Sequence, residues 1–269
     1  MKEHTLSEST PIIYPPKHWL LYSDSGAGKS TMAATFPKPM LVWMFDPFGK
    51  DEPYLRGSQS VGDLQTYPLN IGGIGEAQIV YRDVQHVDGL LRIEYYHDVN
   101  IKQPTAYMRF QTRFDTLFPN ELTWWKTVAL DSITFMEKLA RKWDQYVLNP
   151  TAKDPRKWFG ASTDLLEEML MLRFAGLPMN VIAIAHIDTE KDDVHGLLVR
   201  NPSAPGRLRR DLSTAYSEIY RLYIGDDGKG GKVHAAQTRS DNLFNAQTHI
   251  DAPNPCWPTY EALWQNYGK

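Results

Sequence analysis

The chain of 269 residues has one cysteine, Cys256, so it can close no internal disulfide and build no multi-cysteine metal site. No apolar run approaches the length of a membrane span, and Met1-Lys2-Glu3-His4-Thr5-Leu6-Ser7-Glu8 lacks the apolar centre of a signal peptide. Both observations fit a reducing cytoplasm. Strong charge of either sign is also missing: at a net −3, any nucleic acid must be met by a local basic patch rather than a global field. No repeat or heptad is visible. Hydrophobic residues make up 42% and charged residues 23%, enough to bury one sizeable core.

What is present is a glycine loop. Ser23 to Thr31 reads S-D-S-G-A-G-K-S-T, close to the phosphate-cradling pattern G-x-x-x-x-G-K-[ST]. Gly26 and Gly28 let the backbone curl so that successive N–H groups, across Ser25, Gly26, Ala27 and Gly28, turn toward phosphate oxygens. Lys29 would reach the β- and γ-phosphates. Ser30 would open a helix and place its hydroxyl on Mg²⁺, with Thr31 as a second contact. Ser23 stands where the pattern has its first glycine, so the turn there must tolerate a small side chain. The flanks have the required order: a short apolar strand, His18–Tyr22, precedes the loop, and helix runs over Thr31–Phe36 until Pro37 and Pro39 stop it. The bland alternative is a glycine-rich turn with an exposed lysine.

Residues 1–16 are polar and end in Pro15-Pro16, which reads as an arm; a nucleotide-binding domain is expected over 17–269. Met40–Phe45 is an uninterrupted apolar run, as for a strand buried on both faces of a parallel sheet. Residues 50–110 are glycine-punctuated and only weakly alternating, over Ala77–Val84 and Leu90–Tyr96, and read as an insertion without assigned structure. Further on, the pattern predicts helix over Phe110–Phe118, strand over Trp124–Asp131, helix over Ser132–Val147 and again over Ser162–Ala175, then strand over Asn180–His186. Ile219–Ile224 and Val233–Thr238 flank a glycine-rich turn and read as an antiparallel hairpin. This alternation predicts an α/β fold with a mostly parallel, doubly wound sheet ending in that hairpin.

Asp131 closes an apolar strand about a hundred residues after the loop. A carboxylate at that end of a parallel strand points into the crevice where ligands sit, which makes it the metal-side partner of Ser30. The bland alternative, compatible with that role, is that Asp131 caps the helix that follows. Ser132 could assist through water.

The chain resembles the RecA-like P-loop ATP-binding proteins of bacteriophages that act in single-strand DNA annealing and recombination. The resemblance rests on Ser23–Thr31 with Phe36-Pro37-Lys38-Pro39, the Thr127–Ser132 strand, Asn180–His186, Pro205-Gly206-Arg207 and the run Tyr216–Arg221, and extends over about 17–260, weakest across 50–110. It implies ATP and Mg²⁺ as ligands and His186 as a sensor of the γ-phosphate beside Lys29 and Asp131. It also implies a ring or filament of identical subunits, a single-strand-binding protein as a further partner, no membrane, and a cytoplasmic location, that of the host for a phage protein. Two positions depart from that family. The strand after the first helix typically ends Asp-x-Glu, whereas here it reads Asp46-Pro47-Phe48, with Asp51 or Glu52 as substitutes from a shifted loop. Near the C-terminus Ala246-Gln247-Thr248-His249 stands where Ala-Lys-x-Arg is common, so a cation directed at a neighbouring subunit is missing.

Single-stranded DNA would be met by two basic groups in loops. One is Lys153, Arg156, Lys157 with Trp158, and the other is Arg200, Arg207, Arg209 and Arg210. Asp188, Glu190, Asp192 and Asp193 lie between them and repel phosphate. A DNA-dependent ATPase is therefore expected. The alternative is a non-hydrolysing or very slow nucleotide-binding module in which ATP switches assembly with a protein partner, and a small-molecule kinase is disfavoured because no arginine-rich lid is evident.

Overall fold

A computed structural model describes residues 17–72, 75–191 and 198–264. The apolar runs become the strands of a parallel sheet. β1 (His18–Ser23), β2 (Met40–Met44), β6 (Gly89–Tyr95), β7 (Thr127–Asp131), β8 (Asn180–Lys191) and β10 (Glu218–Asp226) lie in the spatial order β10-β1-β8-β7-β2-β6, each parallel to its neighbours. On one edge β11 (Lys232–Gln237) pairs antiparallel with β10, which is the expected hairpin. Among the described residues no helix is long and apolar enough to cross a membrane.

Both faces of this sheet are covered, which is why its strands read as continuous apolar runs rather than alternating ones. Leu20, Tyr22, Leu41, Trp43, Val128, Leu130, Val181 and Ala183 face α3 (Ala106–Thr116), α4 (Ile133–Trp143) and α5 (Pro155–Glu167). Trp19, Leu21, Met40, Val42, Ala129, Ile182 and Ile184 face α1 (Lys29–Ala33), Phe36, Tyr54 and Leu263. Successive residues of one strand thus serve two cores.

The described residues of the insertion at 50–110 form regular elements. They comprise α2 (Glu52–Leu55), the strands β3 (Ser60–Val61), β4 (Gln65–Ile71) and β5 (Gly75–His86), then β6 and the start of α3. β5 pairs antiparallel with β6, β3 and β4, so the segment extends the sheet beyond β2 as an antiparallel meander. Its joint is a buried polar knot. Glu94 accepts hydrogen bonds from Trp43 Nε1, Tyr67, Tyr96 and Arg113 at 2.9–3.1 Å.

Other expectations shift at their boundaries. Strand β7 begins at Thr127, and Trp124 is left exposed. The helix expected over 110–118 begins at Ala106 and ends at Thr116. The helix expected from Ser162 begins at Pro155 and continues as a wider turn over Glu168–Phe174. Asp154-Pro155 carries that signal: the Asp154 carboxylate accepts from the Arg156 N–H at 3.0 Å, and proline suits the first helical position. β8 runs beyond His186 and folds back antiparallel onto β9 (Leu198–Pro202). Residues 1–16, the expected arm, and 192–197, with Asp192 and Asp193, lie outside the described residues.

Candidate functional site

β1 ends at Ser23, fully buried, and the chain turns over the C-terminal edge of the sheet. Gly26 and Gly28 have φ of +82° and +100°, and a Cβ on Gly28 would lie 3.2 Å from His234 Nδ1, so both positions call for glycine. Ser23 does not, since among the described residues no non-glycine residue has positive φ. That explains the departure from the pattern. Its hydroxyl adds a contact: Lys29 Nζ donates to Ser23 Oγ, Ser23 O and Asp24 O, each at 3.0 Å. Burial lowers the pKa of this ammonium, while Asp131, Asp46 and Asp24 oppose the shift.

Asp131 sits at the end of β7, level with Met44 on β2 and Ile184 on β8. Its Oδ2 accepts from Ser30 Oγ at 2.7 Å and from Tyr54 OH at 2.9 Å. The capping alternative is corrected here: Ser132 occupies the N-cap of α4, and Asp131 is turned toward the glycine loop. Burial and then the charge of Asp46 push the Asp131 carboxyl up to about 6. Asp46 leaves the end of β2 beside it. Ser132 Oγ donates to Asp46 Oδ1 at 2.6 Å, a direct bond rather than one through water, and His186 Nε2 lies 3.8 Å from Asp46 Oδ2. That spacing is longer than a hydrogen bond. Burial works against the charge of Asp46, but the neighbouring His186 and Ser132 outweigh it and hold this carboxyl below its usual range.

His186 is the last residue of β8 in parallel register with β1, although the strand continues past it. Its backbone N–H donates to Thr134 Oγ1 at 3.1 Å. A cleft of about 660 Å³ joins these groups. It is lined by Ser25, Gly26, Gly28, Lys29, Ser30 and Thr31 of the loop, by Asp46, Asp131 and His186 at strand ends, by Lys50, Glu52 and Arg56 in and beside α2, and by His234 from β11. Ala27 packs beneath the loop, where its carbonyl accepts from His234 Nδ1 at 3.1 Å. The expected phosphate-binding and metal-side residues are thus brought together.

The oxygen donors suit a hard cation. Ser30 and Asp131 present a hydroxyl and a carboxylate, and the Asp46–Asp131 pair concentrates negative charge that burial disfavours. Among the described residues no group of three or more carboxylates, histidines or cysteines is placed to hold a metal. Mg²⁺ needs no such cage, since it keeps several waters and takes one or two protein oxygens together with phosphates.

One of the two substitutes for the missing glutamate, Asp51, fails on geometry. Phe48 is 58% exposed and stacks on Tyr95 and His97, with ring centroids at 5.1 and 4.4 Å. Asp51 is buried under Tyr95 OH at 2.6 Å and Arg82 at 3.3 Å, so it cannot substitute as a base; Glu52 does reach the cleft. Gln247 bonds through its backbone to Ile219, away from the loop.

None of the basic residues expected to meet DNA lines the cleft. Arg156 and Lys157 lie in the first turn of a helix rather than in a loop, and Arg156 pairs with Asp154 at 2.8 Å. Arg207 pairs with Glu167 at 2.8 Å and Arg209 with Asp188 at 2.6 Å, while Arg200 lies over the Phe244 ring. Lys153 and Arg210 are exposed. Of the intervening acids Asp188 pairs directly with Arg209, while Arg156 and Arg207 are paired by Asp154 and Glu167. Tyr54, Arg56, His234 and the Ser132–Asp46 bond leave no signal in the sequence, because each depends on contacts between distant segments.

A glycine loop between a buried parallel strand and a helix, facing a strand-terminal acid across the sheet edge, defines a P-loop ATPase domain on a RecA-like fold. The chain belongs to the AAA domain family, which it matches over residues 16–247. Among solved structures it is similar to the flagellar accessory protein FlaH from Methanocaldococcus jannaschii, 11% identical with a TM-score of 0.41 over 90% of this chain and 84% of that one. It is also similar to an ATPase from the type III secretion system of pathogenic bacteria, 13% identical with a TM-score of 0.42 over 78% of this chain and 52% of that one. No curated protein gives a significant match.

Proposed function

We propose that the cleft binds ATP with Mg²⁺ and hydrolyses it slowly in the cytoplasm. In this reading the N–H groups of Ser25 to Thr31 cradle the phosphates, Lys29 meets the β- and γ-phosphates, and Ser30 and Asp131 hold the metal. Bound Mg²⁺ would supply charge neutralisation for the phosphates. Asp46 orients and deprotonates the attacking water in place of the missing glutamate, and His186, beside it, responds to the γ-phosphate. The observation that carries this is Asp46: a carboxylate lining the cleft, held by Ser132 Oγ at 2.6 Å and beside Asp131.

The test is phosphate release by the wild type and by Asp46→Asn. The isosteric change keeps the shape and the Ser132 acceptor but removes the base, so turnover should fall about 10²–10⁴-fold with ATP affinity within a few-fold. Unchanged turnover rules Asp46 out as the base. A wild type that binds ATP without releasing phosphate leaves the second reading, a nucleotide-dependent assembly switch, which Phe48 and Gln247 favour.

The further reading, action on single-stranded DNA as a ring or filament in phage-type recombination, rests on the resemblance and on the basic groups near α5 and α6 (Leu208–Ala215). Mg²⁺·ATP should then enhance DNA binding. Replacing Arg207, Arg209 and Arg210 by glutamine should weaken binding and flatten the salt dependence by about 0.7 in slope for each phosphate that is no longer neutralised. An unaltered slope removes this surface from the proposal.

A further inference from the structure

Gln247, which stands where the resemblance implies a cation directed at a neighbouring subunit, does not line the cleft. Another cation stands in the cleft itself. Arg56 lies at the C-terminal end of α2, a helix that the sequence pattern does not predict, and lines the cleft together with Lys50 and Glu52.

α2 is fastened to the metal-side corner of the site. Tyr54, fully buried, donates its hydroxyl to Asp131 Oδ2 at 2.9 Å, the oxygen that also accepts from Ser30 at 2.7 Å. The backbone carbonyl of Tyr54 accepts from His86 Nε2 at 2.9 Å, and Asp51 at the start of the helix accepts from Tyr95 OH at 2.6 Å. The meander β3–β6 therefore holds this short helix against Asp131 from behind. In the sheet, α2 follows β2, on the far side of β7 and β8 from β1. Arg56 and the metal-side pair Ser30 and Asp131 line the same cleft.

The guanidinium is available for a phosphate. Arg56 is held by Glu52 Oε1 through Nε at 3.3 Å and Nη2 at 2.9 Å, with side chains 63% and 70% exposed. Exposed pairs spaced four residues apart on a helix bind weakly, whereas a guanidinium matches the geometry of phosphate oxygens with two charge-assisted bonds. Exchange of a singly charged, solvated carboxylate for a more highly charged phosphate is favourable on both counts. Rotation about the side-chain bonds of Arg56 is the movement required, since the helix beneath it is pinned by Tyr54.

We infer that Arg56 is a γ-phosphate ligand supplied from within the same subunit, released from Glu52 when ATP is bound, and that it discriminates ATP from ADP. This inference rests on the reading of the cleft as an ATP·Mg²⁺ site.

The test compares Mg²⁺·ATP and Mg²⁺·ADP affinities of the full chain by competition against a fluorescent ADP analogue, for the wild type, Arg56→Ala, Arg56→Lys and Glu52→Gln. Arg56→Ala should leave ADP affinity within about twofold and lower ATP affinity about 10- to 100-fold. Arg56→Lys should keep part of the preference, because charge is retained while the fork is lost. Glu52→Gln, which frees Arg56, should hold the ATP preference at or above that of the wild type. An ATP-to-ADP ratio unchanged in Arg56→Ala overturns the inference while the nucleotide site stands. An equal loss in Glu52→Gln overturns it too, because the helix rather than the guanidinium would then be at work. A wild type that binds neither nucleotide defeats the site reading itself.

Discussion

Lys29→Ala is expected to lower Mg²⁺·ATP affinity about 10²–10⁴-fold and to remove phosphate release with it. The ammonium is almost fully buried, and its three acceptors, Ser23 O, Ser23 Oγ and Asp24 O, all belong to the loop. Arranged in this way it is held at the loop's mouth before any ligand arrives, so little ordering remains to oppose binding. A charge-assisted bond contributes about 1.5–3 kcal/mol, and two of them, to β- and γ-oxygens, give the stated range at about 1.4 kcal/mol per decade. Removal of the ammonium relieves the cost of a desolvated charge but strands its three loop acceptors, so the melting temperature should fall less than for Glu94→Ala. Titration of the variant with ATP, alongside thermal unfolding, separates the two effects. An ATP affinity within threefold of the wild type would falsify the assignment of Lys29 to phosphate.

The largest loss of stability is expected from Glu94→Ala. Glu94 and Arg113 are 0% and 1% exposed and lie 2.9 Å apart, with Trp43, Tyr67 and Tyr96 donating to the same carboxylate. Its truncation strands a buried guanidinium and three further donors. Breaking a buried pair from one side costs about 3–5 kcal/mol. At about 2–4 °C per kcal/mol for a chain of this size, the melting temperature should fall about 6–20 °C. Glu121, 2.8 Å from Arg113 on its outer side, favours the lower part of that range. Glu94→Gln, which keeps an acceptor oxygen, should lose less. A variant of Glu94→Ala melting within 3 °C of the wild type would show that the knot contributes little. The consequence extends to the cleft, since the next residue on β6, Tyr95, holds Asp51 at the base of α2.

Sequence and structure agree wherever the information is local or periodic. His18–Ser23, Met40–Met44 and Thr127–Asp131 are apolar throughout because parallel strands covered by helices on both faces have no solvent side. The meander at 60–95 is illegible because its strands are partly exposed and its polar positions, Glu94 among them, are satisfied by partners that no local pattern announces. The basic group at 153–158 reads as a loop only while the helix start at Asp154-Pro155 goes unrecognised. Its arginine likewise reads as unpaired, although Asp154 lies two residues away.

The sequence by itself determined the glycine loop and its polarity. A phosphate cradle is built from consecutive backbone dihedrals, so Gly26, Gly28, Lys29 and Ser30 carry their geometry in their order, and Asp131 is marked by ending an apolar run. Tertiary structure decided what surrounds that loop. Asp46, Ser132 and His186 meet because β2, β7 and β8 are adjacent in the sheet. Tyr54 reaches Asp131 across 77 positions because the meander presses α2 onto the site. Strand order and the pairing of distant charges depend on how segments cross over one another, and neither leaves a periodic trace in the chain.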